Sequence, residues 1–288
     1  MRSHPPALLK SVSRTLQGEC QVQPTDRILV AVSGGVDSMT LLHVLSVLRA
    51  KIGFSLMAHG VDHGLRAEAV QELDAAEQFA QLLDVQFTRS KVKLRAGGNL
   101  QHRAREVRYA ALETAAKRSS ATLLATAHHS DDRVETFLLR LLRGAGPEGL
   151  AVLPARAGDR IRPLLRVTRA DILAHAERHR IPSHEDPSNA DRRFLRSQVR
   201  HELLPLLERM SPGIRVHLNA LADALLDTSG SDAGPARLPV GLNRAQFQAL
   251  TLALQRGAAG TRIRISDRLE LCLQRAKPVR PGRNRPNP

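Results

Sequence analysis

The stretch RILVAVSGGVDSMTLLHVL, residues 27–45, decides the fold of this chain. Its first part, ILVAV, is a continuous apolar run of the kind that forms a buried strand, and its last part repeats apolar residues at helical spacing. Two adjacent glycines, Gly34 and Gly35, let the backbone between them turn sharply and approach a ligand. Because the N–H groups at a helix start are unpaired, this turn predicts an anion-binding loop.

The alternation of strand and helix patterns continues through the first half of the chain. Strands and helices are predicted, in chain order, over 27–33, 37–50, 54–61, 66–84, 85–92, 99–119, 121–127 and 131–143. Strands joined by helices of this length pair in parallel through right-handed crossovers. The sequence therefore predicts an α/β fold with a doubly wound parallel sheet, followed by a small helical domain.

Polar clusters follow three of these strands. They are SGGVDS (33–38), the segment 59–66 that begins with His59, and HHSDD (128–132). Ligands of doubly wound sheets bind outside the carboxyl ends of the strands, so we expect the three clusters to meet in one crevice.

The second half of the chain has a different pattern. RPLL (162–165) is predicted to be extended, and helices are predicted over 168–180, 189–210, a segment ending near Asp227, and 243–257. We expect four parts: an N-terminal helix or arm (1–25), a catalytic domain with a basic helical extension (26–210), a small, mainly helical region (211–275) and a basic disordered tail (276–288).

The composition indicates an anionic partner. The 288 residues carry 43 Lys and Arg against 28 Asp and Glu, a net charge of +15, which favours binding of nucleic acid or nucleotide over a basic surface that is merely solvated. Aromatic residues make up only 2%, so phosphate contacts rather than base stacking must dominate. Two distant cysteines argue against a disulfide framework or a zinc knuckle. No apolar run approaches the ~20 residues of a membrane span, so a soluble, cytoplasmic protein without a membrane partner is expected.

Asp37 is unusual in a loop that binds phosphate, because a carboxylate repels an anion unless a cation lies between them. Mg²⁺ is the natural intermediary, held by a carboxylate and phosphates together. The alternative, a strand-to-helix turn that Ser and Asp merely cap, remains open at this point. Two other phosphate motifs are rejected: GAGPEG (144–149) follows a helix rather than a strand, and no Walker motif occurs.

The loop SGGVDS resembles the pyrophosphate-binding loop of the N-type ATP pyrophosphatases, which include tRNA thiolases, GMP synthetase, asparagine synthetase and NAD synthetase. Further segments resemble the tRNA(Ile)-lysidine synthetase family in order and approximate spacing, over residues 33–207. They are HGVDHGLR (59–66), GNLQHRAREVRY (98–109), ATAHHSDDRVETFLLRLLRGAGPEGL (125–150), RPLL (162–165), DPSNAD (186–191) and RSQVRHELLPLL (196–207).

The resemblance implies a two-step reaction. ATP adenylates the 2-carbonyl oxygen of the wobble cytidine in tRNA(Ile) with a CAU anticodon, and the ε-amine of free L-lysine then displaces AMP. ATP and Mg²⁺ are the implied cofactors, and a homodimer is one of the assemblies left open. The implied nucleotide site comprises Ser33, Gly34, Gly35, Val36, Asp37, Ser38, His59 and His128, with Asp37 as metal ligand.

The resemblance also implies catalytic roles for Asp37, Arg108 and Asp132. Arg108 matches the arginine of the family's ARxxRY segment, and Arg105, three residues earlier, shares its helix face. The family more often has one residue fewer between the histidine at position 59 and DHGLR, and here the extra residue is Gly60.

Asp132 and Glu135 lie three residues apart on one helix face and are assigned to the substrate lysine by resemblance. Two alternatives remain for HHSDD: a metal site of His and Asp ligands, and acids that stabilise a helix N-terminus.

Arg192, Arg196 and Arg200 are spaced to line one helix face and are assigned to tRNA phosphates. Ser197 stands where the family usually has Asn. Two rival functions remain: a tRNA 2-thiolation enzyme, which would need cysteines near these motifs, and a non-catalytic basic RNA-binding protein.

Overall fold

The computed structural model describes residues 7–62, 64, 68–92, 100–184, 195–230, 262–266 and 269–272. The chain divides into two compact units, Met1–Ser229 and Gly230–Pro288. The first unit contains the sheet and all the site residues discussed below.

A six-stranded sheet forms the centre of the first unit. Its strands are β1 (Arg27–Val32), β2 (Ser55–Asp62), β3 (Gln86–Lys91), β4 (Leu123–Ala125), β5 (Arg156–Ala157) and β6 (Arg160–Ile161). They are arranged in the order β3-β2-β1-β4-β6-β5, and every neighbouring pair is parallel except β5 with β6. The predicted doubly wound parallel sheet is confirmed.

Helices connect and cover these strands. They are α1 (Ala7–Arg14), α2 (Val36–Ile52), α3 (Glu68–Leu82), α4 (Leu100–Arg118), α5 (Ser130–Leu142), α6 (Pro147–Leu150), α7 (Arg169–Arg178), α8 (Leu195–Gln198), α9 (Leu204–Met210) and α10 (Ile214–Gly230). A π-helical turn, Val199–Leu203, joins α8 to α9, so residues 195–210 run as one helical segment. Among the described residues, no helix is long and apolar enough to cross a membrane.

The core lies on both faces of the sheet. On one face Ile28 and Val30 of β1 pack in a large cluster with α1, α2, α3 and α7, and on the other face Leu29 packs with Leu112 of α4 and Leu124 of β4. This division follows from the alternation of side chains along a strand. A separate cluster joins Val134 and Leu138 of α5 to the α8–α9 segment.

The strand order places the switch point of the sheet between β1 and β4. The chain leaves β1 for β2 and β3 on one side and then crosses to β4 on the other side. The carboxyl ends of β1 and β4 are therefore adjacent, and the loops that follow them face a common crevice.

RPLL departs from its predicted form. Strand β6 ends at Ile161, and residues 163–166 form a turn instead of an extended piece. Leu164 and Leu165 are buried in the core. The turn places these two apolar side chains there, whereas a continued strand would carry them away from the core. The prediction was wrong because burial, not local propensity, decides this segment.

The second unit is described only over two strands, β7 (Arg262–Ser266) and β8 (Leu269–Cys272), which pair antiparallel. The predicted helix over 243–257 and the predicted tail lie outside the described residues.

Candidate active site

Two serine hydroxyls close the loop after β1. The N–H of Ser33 donates to Oγ of Ser38 over 3.1 Å, and the two hydroxyl oxygens lie 3.2 Å apart. The Ser38 hydroxyl donates to the carbonyl of Gly35 over 2.9 Å. The loop is thus held in a tight turn before α2 begins at Val36.

Gly34 occupies a position that only glycine fits. Its φ is +81°, and a Cβ atom there would lie 2.9 Å from Cβ of Glu72 on α3. The N–H of His184 donates to the carbonyl of Gly34 over 3.0 Å. The loop therefore packs against α3 and against the segment after α7, which preorganises it for a ligand.

Asp37, in the first turn of α2, forms an ion pair with Arg169, the first residue of α7. Burial raises the pKa of Asp37, although the charges of His129 and Arg169 act in the opposite direction. The backbone N–H of Arg169 donates to Oδ2 of Asp131 over 2.8 Å. Arg169 thus ties the loop after β1 to the loop after β4.

His129 lies among three aspartates. Its Nε2 atom is 3.3 Å from Oδ2 of Asp132 and 3.9 Å from Oδ2 of Asp37, and its Nδ1 atom is 3.6 Å from Oδ2 of Asp131. Burial alone would lower the pKa of this histidine, but the contact with Asp131 and the charges of Asp132 and Asp37 raise it. The three carboxylates therefore favour the protonated form of His129, whose charge would offset part of theirs.

Arginines from the α8–α9 segment contact the predicted acid pair. Arg196 donates from Nη2 to Asp132 and from Nε to Glu135, each over 2.8 Å. Arg200 donates from Nε and Nη2 to the two oxygens of Glu135, over 2.5 and 3.0 Å. The Glu135 side chain is only 2% exposed, and each of its oxygens contacts a guanidinium group.

Asp132 stays ionised in this environment. Burial would raise its pKa, but the positive charges of His129 and Arg196 lower it. Asp132 is also more accessible than Glu135, with 16% of its side chain exposed. Of the two acids, Asp132 is the one that a ligand in the crevice can reach.

The two histidines assigned to the nucleotide lie in different parts of the fold. His128 follows β4, its Nδ1 atom is 2.9 Å from the hydroxyl of Thr126, and burial lowers its pKa to about 3. His59 lies within β2, and its ring nitrogens contact the hydroxyls of Thr88 and Ser90 at 2.7 and 3.0 Å. Both ring nitrogens of His59 thus have partners within the sheet.

Packing between β2 and α3 explains the glycine at position 60. A Cβ atom there would lie 2.5 Å from a methyl group of Leu73 and 3.0 Å from the ring of Phe87. A larger residue next to His59 would have to displace the Leu73 side chain, so glycine allows α3 to pack closely on β2.

The arginines of α4 surround an aromatic ring. The Cζ atoms of Arg105 and Arg108 lie 5.0 and 6.0 Å from the ring centroid of Tyr109, and Arg105 Nη2 is 3.4 Å from its hydroxyl. Burial lowers the pKa of Arg108. Arg160, on β6, approaches the same ring at 4.6 Å.

The structure adds residues that sequence reasoning missed. His129 and Arg169 contact the predicted site acids directly, and Arg160 joins the arginines of α4. The motif HHSDD contains His129, but the family resemblance assigned the nucleotide contact to His128 instead. Arg192 lies outside the described residues, and within the described part of the chain no group of three or more His, Cys, Asp or Glu side chains is placed to hold a metal ion.

The fold and the crevice together define an α/β nucleotide-binding domain with a phosphate loop after its central strand. The PP-loop domain family, a family of ATP-using domains, matches residues 8–207, and the chain belongs to this family.

Individual curated proteins show a more specific similarity than the domain family does. The chain is 37% identical over 210 residues to the tRNA(Ile)-lysidine synthase of Thermosipho africanus, covering 71% of this chain and 49% of the relative. It is 44% identical over 197 residues to that of Aromatoleum aromaticum, covering 67% and 46%. The chain thus spans about half the length of these relatives.

A solved structure supports the fold. The U34-tRNA thiolase NcsA from Methanococcus maripaludis, described with its 4Fe-4S cluster, superposes with a TM-score of 0.67 at 19% identity, over 82% of this chain and 80% of that chain. At this identity the likeness concerns the fold alone.

Proposed function

We propose that this protein ligates free L-lysine to C2 of the wobble cytidine in tRNA(Ile) with a CAU anticodon, at the expense of ATP. One observation carries the proposal: His129 contacts both Asp37 of the phosphate loop and Asp132 of the acid pair. A site for nucleotide phosphates and a site for a cationic substrate therefore adjoin in one crevice. The likeness to lysidine synthases supports the same reaction.

In the first step, the 2-carbonyl oxygen of cytidine attacks the α-phosphorus of ATP, and pyrophosphate leaves. The loop of Ser33, Gly34 and Ser38 binds the departing pyrophosphate with hydroxyls and with the N–H groups at the start of α2. Arg108 neutralises the charge that develops on the phosphate, and its partly buried guanidinium strengthens that interaction.

Asp37 is placed to bind a magnesium ion that the phosphates of the substrate also bind. Mg²⁺ is usually bound by one or two carboxylates together with phosphates. Asp37 supplies one carboxylate, 30% exposed, in the first turn of the helix that follows the phosphate loop. When bound there, the ion would neutralise charge on the phosphates.

In the second step, the ε-amine of lysine attacks C2, and the adenylated oxygen leaves as AMP. Asp132 holds an ammonium group of lysine, because it is ionised and partly accessible. Glu135 lies behind it, and Arg196 bridges the two acids. The cationic substrate must therefore share or displace the contact that Arg196 makes with Asp132.

The cysteines weigh against 2-thiolation. The chain has two, Cys20 and Cys272. Cys20 is fully buried, its thiol faces the carbonyl of Ala155 at 3.5 Å, and burial raises its pKa to about 11. A thiol that stays protonated inside the core is a poor sulfur carrier or cluster ligand.

A single assay tests the proposal. The full chain is incubated with ATP, Mg²⁺ and a tRNA(Ile) transcript with a CAU anticodon, with and without radiolabelled lysine, and a transcript with a UAU anticodon is the control. We expect labelled lysine in the CAU transcript alone, together with AMP and pyrophosphate. Transcript binding without pyrophosphate release would instead identify a non-catalytic RNA-binding protein.

A further inference from the structure

Arg169 neutralises the carboxylate that follows the phosphate loop. Its Nη1 atom contacts Oδ1 of Asp37, and Asp37 lies in the first turn of α2. The side chain of Arg169 is 39% exposed and that of Asp37 is 30% exposed, so solvent reaches both partners. An ion pair that solvent reaches is weak, and either partner can exchange the other for a dissolved ion.

The backbone of Arg169 is fixed, so only its side chain is free to exchange. Its N–H donates to Oδ2 of Asp131 over 2.8 Å. The residue before it, Thr168, caps α7, and its hydroxyl accepts from the N–H of Asp171 over 3.1 Å. The residue before that, Val167, is buried, and its carbonyl accepts from the N–H of Ser130 over 3.0 Å.

Among the arginines that contact the site acids, Arg169 is held by the fewest acidic contacts. Arg196 bridges Asp132 and Glu135, and Arg200 contacts both oxygens of Glu135. Arg215 bridges Asp131 and Glu208. Arg169 has one side-chain contact with one carboxylate among the described residues. Its guanidinium group is therefore the easiest of the four to release.

The Arg169–Asp37 pair is not what holds α7 against α2. Leu42 of α2 belongs to the same buried cluster as Ile172 of α7. The two helices also meet where Nδ1 of His43 lies 3.1 Å from Nε2 of His175. Since packing already joins the helices, loss of a half-exposed ion pair should leave their arrangement intact.

The position of Asp37 makes a cation necessary. A bare carboxylate in the first turn after the phosphate loop would repel the phosphates of a nucleotide. Mg²⁺ would remove this repulsion when it binds Asp37 and the phosphates together. A guanidinium group on the same carboxylate would repel the ion, so the arginine and the metal compete for Asp37.

We propose that Arg169 is a stand-in cation: it neutralises Asp37 until Mg²⁺ arrives with the nucleotide, and the metal then displaces it. Arg169 is thus a positioning residue that acts through Asp37. This inference rests on the proposed function, because it requires that Asp37 binds Mg²⁺.

The test measures binding of α,β-methylene-ATP, which cannot release pyrophosphate, to the full chain by isothermal titration calorimetry. Each titration is made once with excess Mg²⁺ and once with EDTA, and the ratio of the two affinities gives the magnesium effect. Arg169→Gln is compared with wild type and with Arg49→Gln. Arg49 is the matched control, because it pairs with Asp84 at the other end of α2, about 18 Å from Asp37 at 1.5 Å per residue.

We expect Arg169→Gln to weaken binding at least tenfold in EDTA, since Asp37 is then left without its neutralising partner. With Mg²⁺ the loss should be less than threefold, because the metal takes over this role. The magnesium effect should therefore rise in Arg169→Gln and stay at the wild-type value in Arg49→Gln. A merely structural role would weaken both complexes equally and leave the magnesium effect unchanged.

An unchanged or smaller magnesium effect in Arg169→Gln overturns the stand-in role. Asp37→Asn separates this outcome from a failure of the proposed metal site. If Mg²⁺ raises the affinity equally in wild type and Asp37→Asn, Asp37 does not bind the metal, and the inference fails with that premise. The titrations need neither tRNA nor lysine, so the proposed ligation is tested independently by lysine incorporation.

Discussion

Arg196 donates its Nε–H to Oε2 of Glu135 over 2.8 Å, and this contact places a guanidinium group where the proposed reaction needs an ammonium group. The same arginine reaches Asp132, and Arg200 holds the other oxygen of Glu135. Glu135 therefore has two tasks: it fixes the α8–α9 segment onto α5, and it supplies the negative charge behind Asp132.

Replacement of Glu135 by Gln should separate these tasks. The variant keeps the size of the side chain but removes its charge, so we expect KM for lysine to rise at least about tenfold, or roughly 1.4 kcal/mol. Adenylation of tRNA, measured as pyrophosphate exchange, should change little. Thermal stability should fall, because the guanidinium groups of Arg196 and Arg200 lose their charged partner.

Glu148→Gln, on the exposed surface of α6, is the matched control and should leave both reactions unchanged. A parallel loss of adenylation in Glu135→Gln, at a temperature where the variant is folded, would contradict the role in lysine binding.

Replacement of Asp37 by Asn should abolish adenylation while the fold persists. The carboxylate is 30% exposed, and its ion pair with Arg169 involves a side chain that is itself 39% exposed. We expect pyrophosphate release to fall by more than tenfold, or about 1.4 kcal/mol in barrier, because the amide cannot hold Mg²⁺ on the phosphates.

The control is Asp84→Asn, whose side chain is fully exposed beside Arg49. Circular dichroism establishes whether both variants fold. If folded Asp37→Asn kept more than a tenth of the wild-type rate, the metal-binding role would be wrong.

The sequence predicted the parts of this site that local chemistry determines. The glycine pair and the apolar run before it define the loop after β1, and the alternation of strands and helices defines the sheet. Asp132 and Glu135 were placed on one helix face because helical spacing determines their relationship.

The sequence did not predict the partners that come from distant segments. Arg169 lies 132 residues after Asp37, and Arg196 lies 61 residues after Glu135, so no local pattern connects them. Strands β5 and β6 have two residues each, too few for any periodicity to be recognised. These features arise from tertiary packing.

Acid should destabilise the fold through a histidine cluster between α2 and α7. The Nδ1 atom of His43 is 3.1 Å from Nε2 of His175, and the rings of His175 and His179 have centroids 4.3 Å apart. Phe79 of α3 stacks on His43, and Arg178 adds a positive charge. Burial and these neighbours lower the pKa of His175 to about 4, and burial and His179 lower that of His43.

Because these pKa values are lower in the folded than in the unfolded chain, the unfolded chain takes up protons first as the pH falls. Stability should therefore be lost between about pH 6.5 and pH 4, with about 2 kcal/mol from His175 between pH 7 and pH 5. Urea unfolding at the two pH values measures the loss. His175→Gln should reduce it, whereas the exposed control His217→Gln should not. An equal loss in both variants would contradict the prediction.

The salt dependence of RNA binding should distinguish arginines whose charge is already paired from those whose charge is available. A guanidinium group that already neutralises a carboxylate displaces fewer counterions from a phosphate. Arg196→Ala should therefore lower the salt slope less than Arg105→Ala does, because Arg196 contacts two acids, whereas Arg105 is exposed and has no ion pair with a carboxylate among the described residues.

The C-terminal segment, which lies outside the described residues, is tested by deleting residues 277–288. This deletion removes four cations, Lys277, Arg280, Arg283 and Arg285. If all four contact phosphates, the slope of log affinity against log salt should fall by about three units. A chain of full length with these four residues replaced by Gln is the control and should behave as the deletion does, since charge and not length is responsible. A slope that neither change alters would mean that the segment does not contact RNA, and the phosphate contacts would then come from residues before position 277.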